Sequence, residues 1–196
     1  MKAEFLEKGF SDASIRSIGR RAGLTSAALY RHFSSKEEMF CAVVEPLVQE
    51  IQQRMEHHKQ VKYRMADAHA GADVLFGETV IDIVKEVILP HRAEFYLLVK
   101  CAQGTRYENY IHDFVDANQG DLADAIDSMK AQGYPAADLE KEELHMLLSA
   151  YMTAIIEPII HGYPDEKVTA YLDRMGDFFM PGWMKIMGVP LKESQM

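Results

Sequence analysis

The side chains in this chain whose types and spacing suggest chemistry lie close together near its start. Arg16 precedes a compact run of small residues, Ser26, Ala27 and Ala28, which is followed by Tyr30, Arg31 and His32. The chemistry they suit is recognition of a polyanion rather than a reaction. An arginine fork meets a phosphate or a base edge through parallel hydrogen bonds. Small side chains at the start of a helix let it sit deep in a groove, and alanine methyls can meet thymine methyls. Arg31 suits either a guanine or the backbone. Catalysis finds no comparable constellation. The eight histidines are scattered, and His57 and His58 are sequence neighbours that a helix would point in different directions. Cys-x-x-Cys, a glycine-rich phosphate loop and Gly-x-Ser-x-Gly are all absent from the sequence. No catalytic residue, metal ligand or cofactor is assigned, and the expectation is a non-enzyme.

The elements that must position these residues are two short helices and a tight turn. Ser14 is placed to cap the first helix with its hydroxyl, and Ile15, Ile18 and Ala22 share one face of it. Gly23 follows, where a left-handed residue ends the helix. Thr25 or Ser26 caps the second helix, expected to run to about Phe33. Leu24, Leu29 and Phe33 are expected to pack back on Ile15 and Ile18. Ser26, Ala27, Ala28, Tyr30, Arg31 and His32 are then left on the outer face. This is a helix-turn-helix, whose second helix enters the DNA major groove.

With its flanks, this stretch resembles the DNA-binding domain of the TetR family of transcriptional regulators. The resemblance rests on Phe5 to Phe10, the Ile15-Arg-x-Ile18 run, Ala22-Gly23-Leu24, Leu29-Tyr30-Arg31-His32-Phe33 and Ser35-Lys36-Glu37-Glu38. It implies that Arg16 contacts a base or phosphate and that Tyr30, His32 and Lys36 hold phosphates. The expected DNA-binding set is Ser14, Arg16, Thr25, Ser26, Ala27, Ala28, Tyr30, Arg31, His32 and Lys36. The partner is a double-stranded operator, and the function an effector-responsive regulator, a repressor released by a small molecule. A helix over residues 1–8 ending at Gly9 is shorter than the resemblance implies, as though the chain began inside it. That leaves open an alternative, an all-α small-molecule binding or sequestering protein that has lost DNA binding.

Charge fits the first reading once the chain is divided. The net charge is −9, yet residues 1–33 carry six Lys/Arg against three acids and the remainder carries the acidic excess. The basic charge sits where phosphates would lie. At 196 residues and 48% hydrophobic, the chain can bury a sizeable core. No apolar run is expected to span a bilayer, and the first residues lack a secretory signal's apolar centre. Cys41 and Cys101 are expected to be free buried thiols. A cytoplasmic place is expected, with no membrane partner.

The rest reads as helix throughout, an all-α fold with a helix-turn-helix domain over 1–46 and a helical effector and dimerisation domain over 47–196. Ser34 and Ser35 cap a long helix reaching about His58, with Pro46 inside it as a kink. Further helices are expected over about 73–89, 91–103, 106–132 (interrupted at Gly120), 138–161 and 165–187. The last two are strongly apolar, and the resemblance pairs them with their counterparts in a homodimer. Leu148, Met152, Ile155, Ile159, Tyr171, Met175, Phe178 and Phe179 are the expected interface. A two-fold dimer would set two recognition helices about one DNA turn apart, roughly 34–36 Å. The resemblance also implies a small effector, for which Met65, Phe76, Tyr96, Lys100, Tyr107, Tyr110, Phe114, Met129, Met146 and Tyr151 are the candidate lining.

Overall fold

A computed structural model describes the backbone of residues 1–66 and 80–190, with all their side chains except those of His58 and 61–66. Among these residues there are helices and no strands, as the sequence predicts. The chain forms two compact units, Met1–Tyr110 and Ile111–Met196.

The first unit opens with α1, Lys2–Asp12, which Gly9 interrupts at φ 72° and ψ 173° before the chain turns helical again. This break lets both flanking aromatics face one core. The Phe5 and Phe10 rings meet the Phe40 ring edge-on at 5.2 and 5.6 Å. Next come α2, Ile15–Ala22, and α3, Ser26–Tyr30, the latter shorter than predicted. The long helix α4, Lys36–Ala66, extends past the expected end at His58. Its start is capped as the sequence suggests, with the Ser35 hydroxyl accepting from Glu38 N–H at 3.0 Å. In return, the Glu38 carboxylate accepts from Ser34 N–H, and these Ser34 hydrogen bonds hold the Glu38 carboxyl below its ordinary value. Pro46 lies on the exposed side of α4, while Val44, Leu47, Val48 and Ile51 are buried on the other.

Residues 73–79 lie outside the described residues. From Val80 the chain does not form the single regular helix predicted. The short α5, Val80–Ile83, passes into a wide π turn, Val84–Ile88, and a tight 3₁₀ turn, Leu89–His91, before α6, Arg92–Lys100. Pro90 accounts for the change of pitch, since it has no N–H to continue the ladder. The helix expected from Arg106 begins only at Tyr110, as α7, Tyr110–Ala131. Arg106 N–H is instead bound to the Glu37 carboxylate at 2.8 Å, and Thr105 N–H turns back to Ala102 O at 2.9 Å. Gly120 does not interrupt α7.

The core of the first unit draws on both ends of its sequence. Phe5, Ile18, Leu29, Met39, Phe40 and Val44 pack in one cluster with Leu97, Leu98, Cys101 and Ala102. Phe10 N–H donates to Cys101 O at 2.8 Å, and Lys2 pairs with Glu94 at 2.6 Å. Cys41 and Cys101 are free and buried, and burial pushes both thiols up.

In the second unit, α8, Lys141–Ile160, and α9, Asp165–Ile186, follow α7. A reciprocal cap between Glu140 and Glu143 starts α8 three residues later than predicted, and Asp138 is held by Lys130 at 2.7 Å. Tyr151 on α8 packs edge-on against Phe179 and Trp183 of α9, at 5.0 and 6.0 Å between centroids. Contrary to expectation, α8 is long and apolar enough, by length and composition, to cross a bilayer. Leu144, Tyr151, Ile155, Ile156 and Ile159 are nevertheless buried.

Candidate nucleic-acid interface

The helix-turn-helix is built by three local devices. Gly23 sits at φ 67° and ψ 23° and ends α2, donating to Arg20 O, while Leu24 N–H reaches Gly19 O at 2.8 Å. The crossing is close at Gly19: a Cβ there would stand 2.7 Å from Leu24 O. Thr25 then caps α3, its hydroxyl accepting from Ala28 N–H at 3.1 Å. Ile18 and Leu29 are buried, and Ile15 and Phe33 pack against the same core. Leu24, predicted to join them, is 47% exposed, because its backbone rather than its side chain meets α2.

Underneath lies a group that sequence reasoning missed. The Glu4 carboxylate is fully buried and accepts from the Ser17 hydroxyl at 2.7 Å and from Ser14 N–H at 3.4 Å. Arg21 approaches it at 3.2 Å and Lys8 at 3.8 Å. The Ser17 hydroxyl, opposed by burial and aided by Ser14 N–H and the two cations, holds the Glu4 carboxyl below its ordinary value. Ser14 does occupy the N-cap position of α2, but its hydroxyl makes no capping bond. The Glu4 carboxylate instead accepts from the Ser14 N–H and the Ser17 hydroxyl, anchoring the start of α2 to α1.

The outer surface carries most of the expected DNA set. Ala27, Tyr30, Arg31 and His32 are exposed, and Ser26 and Ala28 are partly so. Ser14 is exposed, and Thr25 combines exposure with its capping bond. Arg16, Arg20 and Arg31 are exposed and, among the described residues, form no ion pair. Arg20 was absent from the expected set; its spacing of four from Arg16 on one helix was the signal. Arg21, by contrast, is committed to Glu7 and Glu4.

Lys36 departs from expectation. Its ammonium donates to Ser11 O at 2.9 Å and Ala13 O at 3.2 Å and lies 4.5 Å from the centre of the Phe10 ring. It closes the end of α1 and is not a free phosphate ligand.

The candidate effector residues are divided between the two units. Phe76 and the Met65 side chain lie outside the described residues. In the first unit, Tyr107 and Tyr110 contact each other at 6.3 Å, and burial pushes the Tyr110 hydroxyl up to about 12. Tyr96 and Lys100 are exposed instead. In the second unit, Met129 and Tyr151 are buried and Phe114 partly buried, but Met146 is 62% exposed, on the outer side of α8.

The expected interface residues divide as well. Met152, Ile155 and Ile159 are buried within the chain itself and offer nothing to a partner. Leu148, Tyr171, Met175 and Phe179 are partly exposed, and Phe178 is 72% exposed.

Residues 2–43 match the family described as bacterial regulatory proteins, tetR family. An uncharacterized HTH-type transcriptional regulator of Haemophilus influenzae is 31% identical over 99 residues, covering 50% of this chain and 44% of that protein. The HTH-type transcriptional regulator PksA of Bacillus subtilis is 27% identical over 165 residues, 79% of this chain and 74% of that protein. No solved structure matches the chain.

Proposed function

From the premise that this chain belongs, by its N-terminal domain, to the tetR family of bacterial regulatory proteins, we propose that it is a DNA-binding transcriptional regulator. The observation that carries the reading is the set of exposed arginines, Arg16, Arg20 and Arg31, which form no ion pair among the described residues and flank the small-residue start of α3. In a chain of net charge −9, these cations supply local attraction for phosphates. Ser26, Ala27 and Ala28 let α3 approach base edges, and Arg16 reads or clamps the groove. The protein acts in the cytoplasm as a homodimer on a palindromic operator, represses transcription, and is released by a small molecule.

Release works through α4, which continues from the helix-turn-helix past Pro46. Glu45 on that helix pairs with Arg106 and accepts from the Tyr107 hydroxyl at 3.4 Å, and Glu37 accepts from Arg106 N–H. A ligand that displaces the turn bearing Arg106 and Tyr107 therefore acts on α4 directly. It shifts the recognition helices only to the extent that it binds one arrangement better than the other. Fluorescence anisotropy with the intergenic DNA upstream of its own gene tests the reading. Saturable binding that outcompetes random duplex and falls steeply with salt is the expected result. Equal affinity for both duplexes would leave sequestration of a small molecule as the better account.

A further inference from the structure

We propose that the second unit carries a site for a divalent transition metal of the zinc type, built by His112, Asp116 and His145. His112 and Asp116 lie four residues apart on α7, so they share a face, and His145 stands in the second turn of α8. The Asp116 carboxylate spans the two rings. One oxygen is 3.4 Å from His112 Nε2, and the other is 3.2 Å from His145 Nδ1. The imidazoles meet edge-to-face at 5.5 Å between centroids, and one donor atom from each of the three residues falls within 4.8 Å of the others.

These spacings suit an ion. Around a tetrahedral centre with bonds of about 2.0–2.1 Å, neighbouring ligand atoms stand about 3.3–3.5 Å apart. Each Asp116 oxygen already stands at about that distance from one imidazole nitrogen, and one ligand atom from each residue lies within 4.8 Å of the others, so closing on an ion takes a contraction of the cluster. Two imidazole nitrogens and one carboxylate oxygen favour zinc, cobalt or nickel over calcium or magnesium, which prefer all-oxygen shells. Three protein ligands leave a position for water. Among the described residues, His161 pairs with the Glu157 carboxylate at 2.8 Å and His91 with that of Glu50 at 3.8 Å, each without a second imidazole in the cluster. The relative placement of α7 and α8 is fixed beside the site, since the buried Gln119 amide donates to Lys141 O, one turn before His145. His112 and Asp116 are exposed and His145 partly so, which gives an ion a route from solvent. A bound ion would clip α7 to α8, and the site is independent of the DNA-binding reading.

The test uses the untagged full chain, stripped with a chelator. It is titrated with Zn²⁺ by calorimetry and with Co²⁺ by visible absorption. One ion per chain is expected, with cobalt bands of a low-coordinate site. His112→Ala, Asp116→Ala and His145→Ala should each weaken Zn²⁺ binding at least tenfold and remove the bands, while His161→Ala changes neither. Circular dichroism of the metal-free variants checks helix content, and His145→Gln repeats the loss while keeping side-chain bulk. Binding of parental strength in the three variants, or no binding by the parent, would overturn the site.

Discussion

The Ser17 hydroxyl donates to the fully buried Glu4 carboxylate at 2.7 Å, tying α2 to α1 directly beneath the recognition surface. A buried charge of this kind is tolerated because every neighbour supports the ionised form. Ser14 N–H, Arg21 and Lys8 complete the set. Once a partner is removed, the remaining charge is costly.

Glu4→Gln is therefore expected to melt earlier than the parent at pH 7. The folded Glu4 value lies below the ordinary 4.5, so its contribution to stability is present above that pH and is lost as pH falls through the folded value. Thermal melts followed by circular dichroism from pH 7 downward should show the gap between parent and variant closing below about pH 4.5. A gap that stays constant would mean that Glu4 acts through packing alone.

Gly19→Ala should distort the helix-turn-helix. The added Cβ would meet the Leu24 carbonyl at 2.7 Å, a backbone atom that cannot move aside without moving α3. An overpacking cost of about 1–3 kcal/mol is expected. Operator affinity should fall with it, whereas Ala27→Gly, on the outer face, leaves the α2–α3 crossing intact. Denaturant melts and operator titrations on the same samples distinguish the two.

On the DNA face, Arg16→Ala, Arg20→Ala and Arg31→Ala should each weaken operator binding. A residue that serves only phosphates lowers the salt slope by about one unit and weakens all duplexes alike. One that reads a base costs about 1–3 kcal/mol and relaxes specificity at a single position. Lys36→Met should behave differently, lowering the melting temperature with a smaller effect on the salt slope, since its ammonium serves Ser11 and Ala13 carbonyls. A salt slope reduced as much by Lys36→Met as by Arg31→Ala would return Lys36 to the phosphate contacts.

For assembly, Phe178→Glu should convert a dimer to a folded monomer, because Phe178 is 72% exposed and its replacement buries no charge within the chain. Ile155→Glu should instead unfold the second unit, its site being fully buried. Light scattering reads the first and circular dichroism the second. A Phe178→Glu protein of unchanged dimer mass would place the interface elsewhere.

The parts legible in the sequence were those governed by local chemistry. Gly23 had to end α2, Thr25 or Ser26 had to cap α3, and the 3.6-residue spacing of Ile18 and Leu29 with their neighbours gave the inner face. Partnerships between distant residues were not legible. Nothing around Glu4 announces Ser17, nothing around Lys36 announces the carbonyls at the end of α1, and His112 gives no sign of His145. Length and hydropathy also failed to separate inside from outside on α8, where Ile155 is buried and Met146 exposed although both are apolar. Pro90 was read as a helix start, whereas its missing N–H changes the pitch of the turns around it.

The cluster that joins Phe5, Ile18 and Leu29 to Leu97, Leu98 and Cys101 bears on how such a protein can be recombined. Cutting after residue 46 would strip one wall from the core and leave Phe40 and Met39 facing water. A piece transplanted to another protein with its reading surface intact would thus need Leu97, Leu98 and Cys101 as well as the helix-turn-helix. New binding specificities acquired by exchange of gene segments would have to carry α6 along with the helix-turn-helix, or re-evolve a substitute for it.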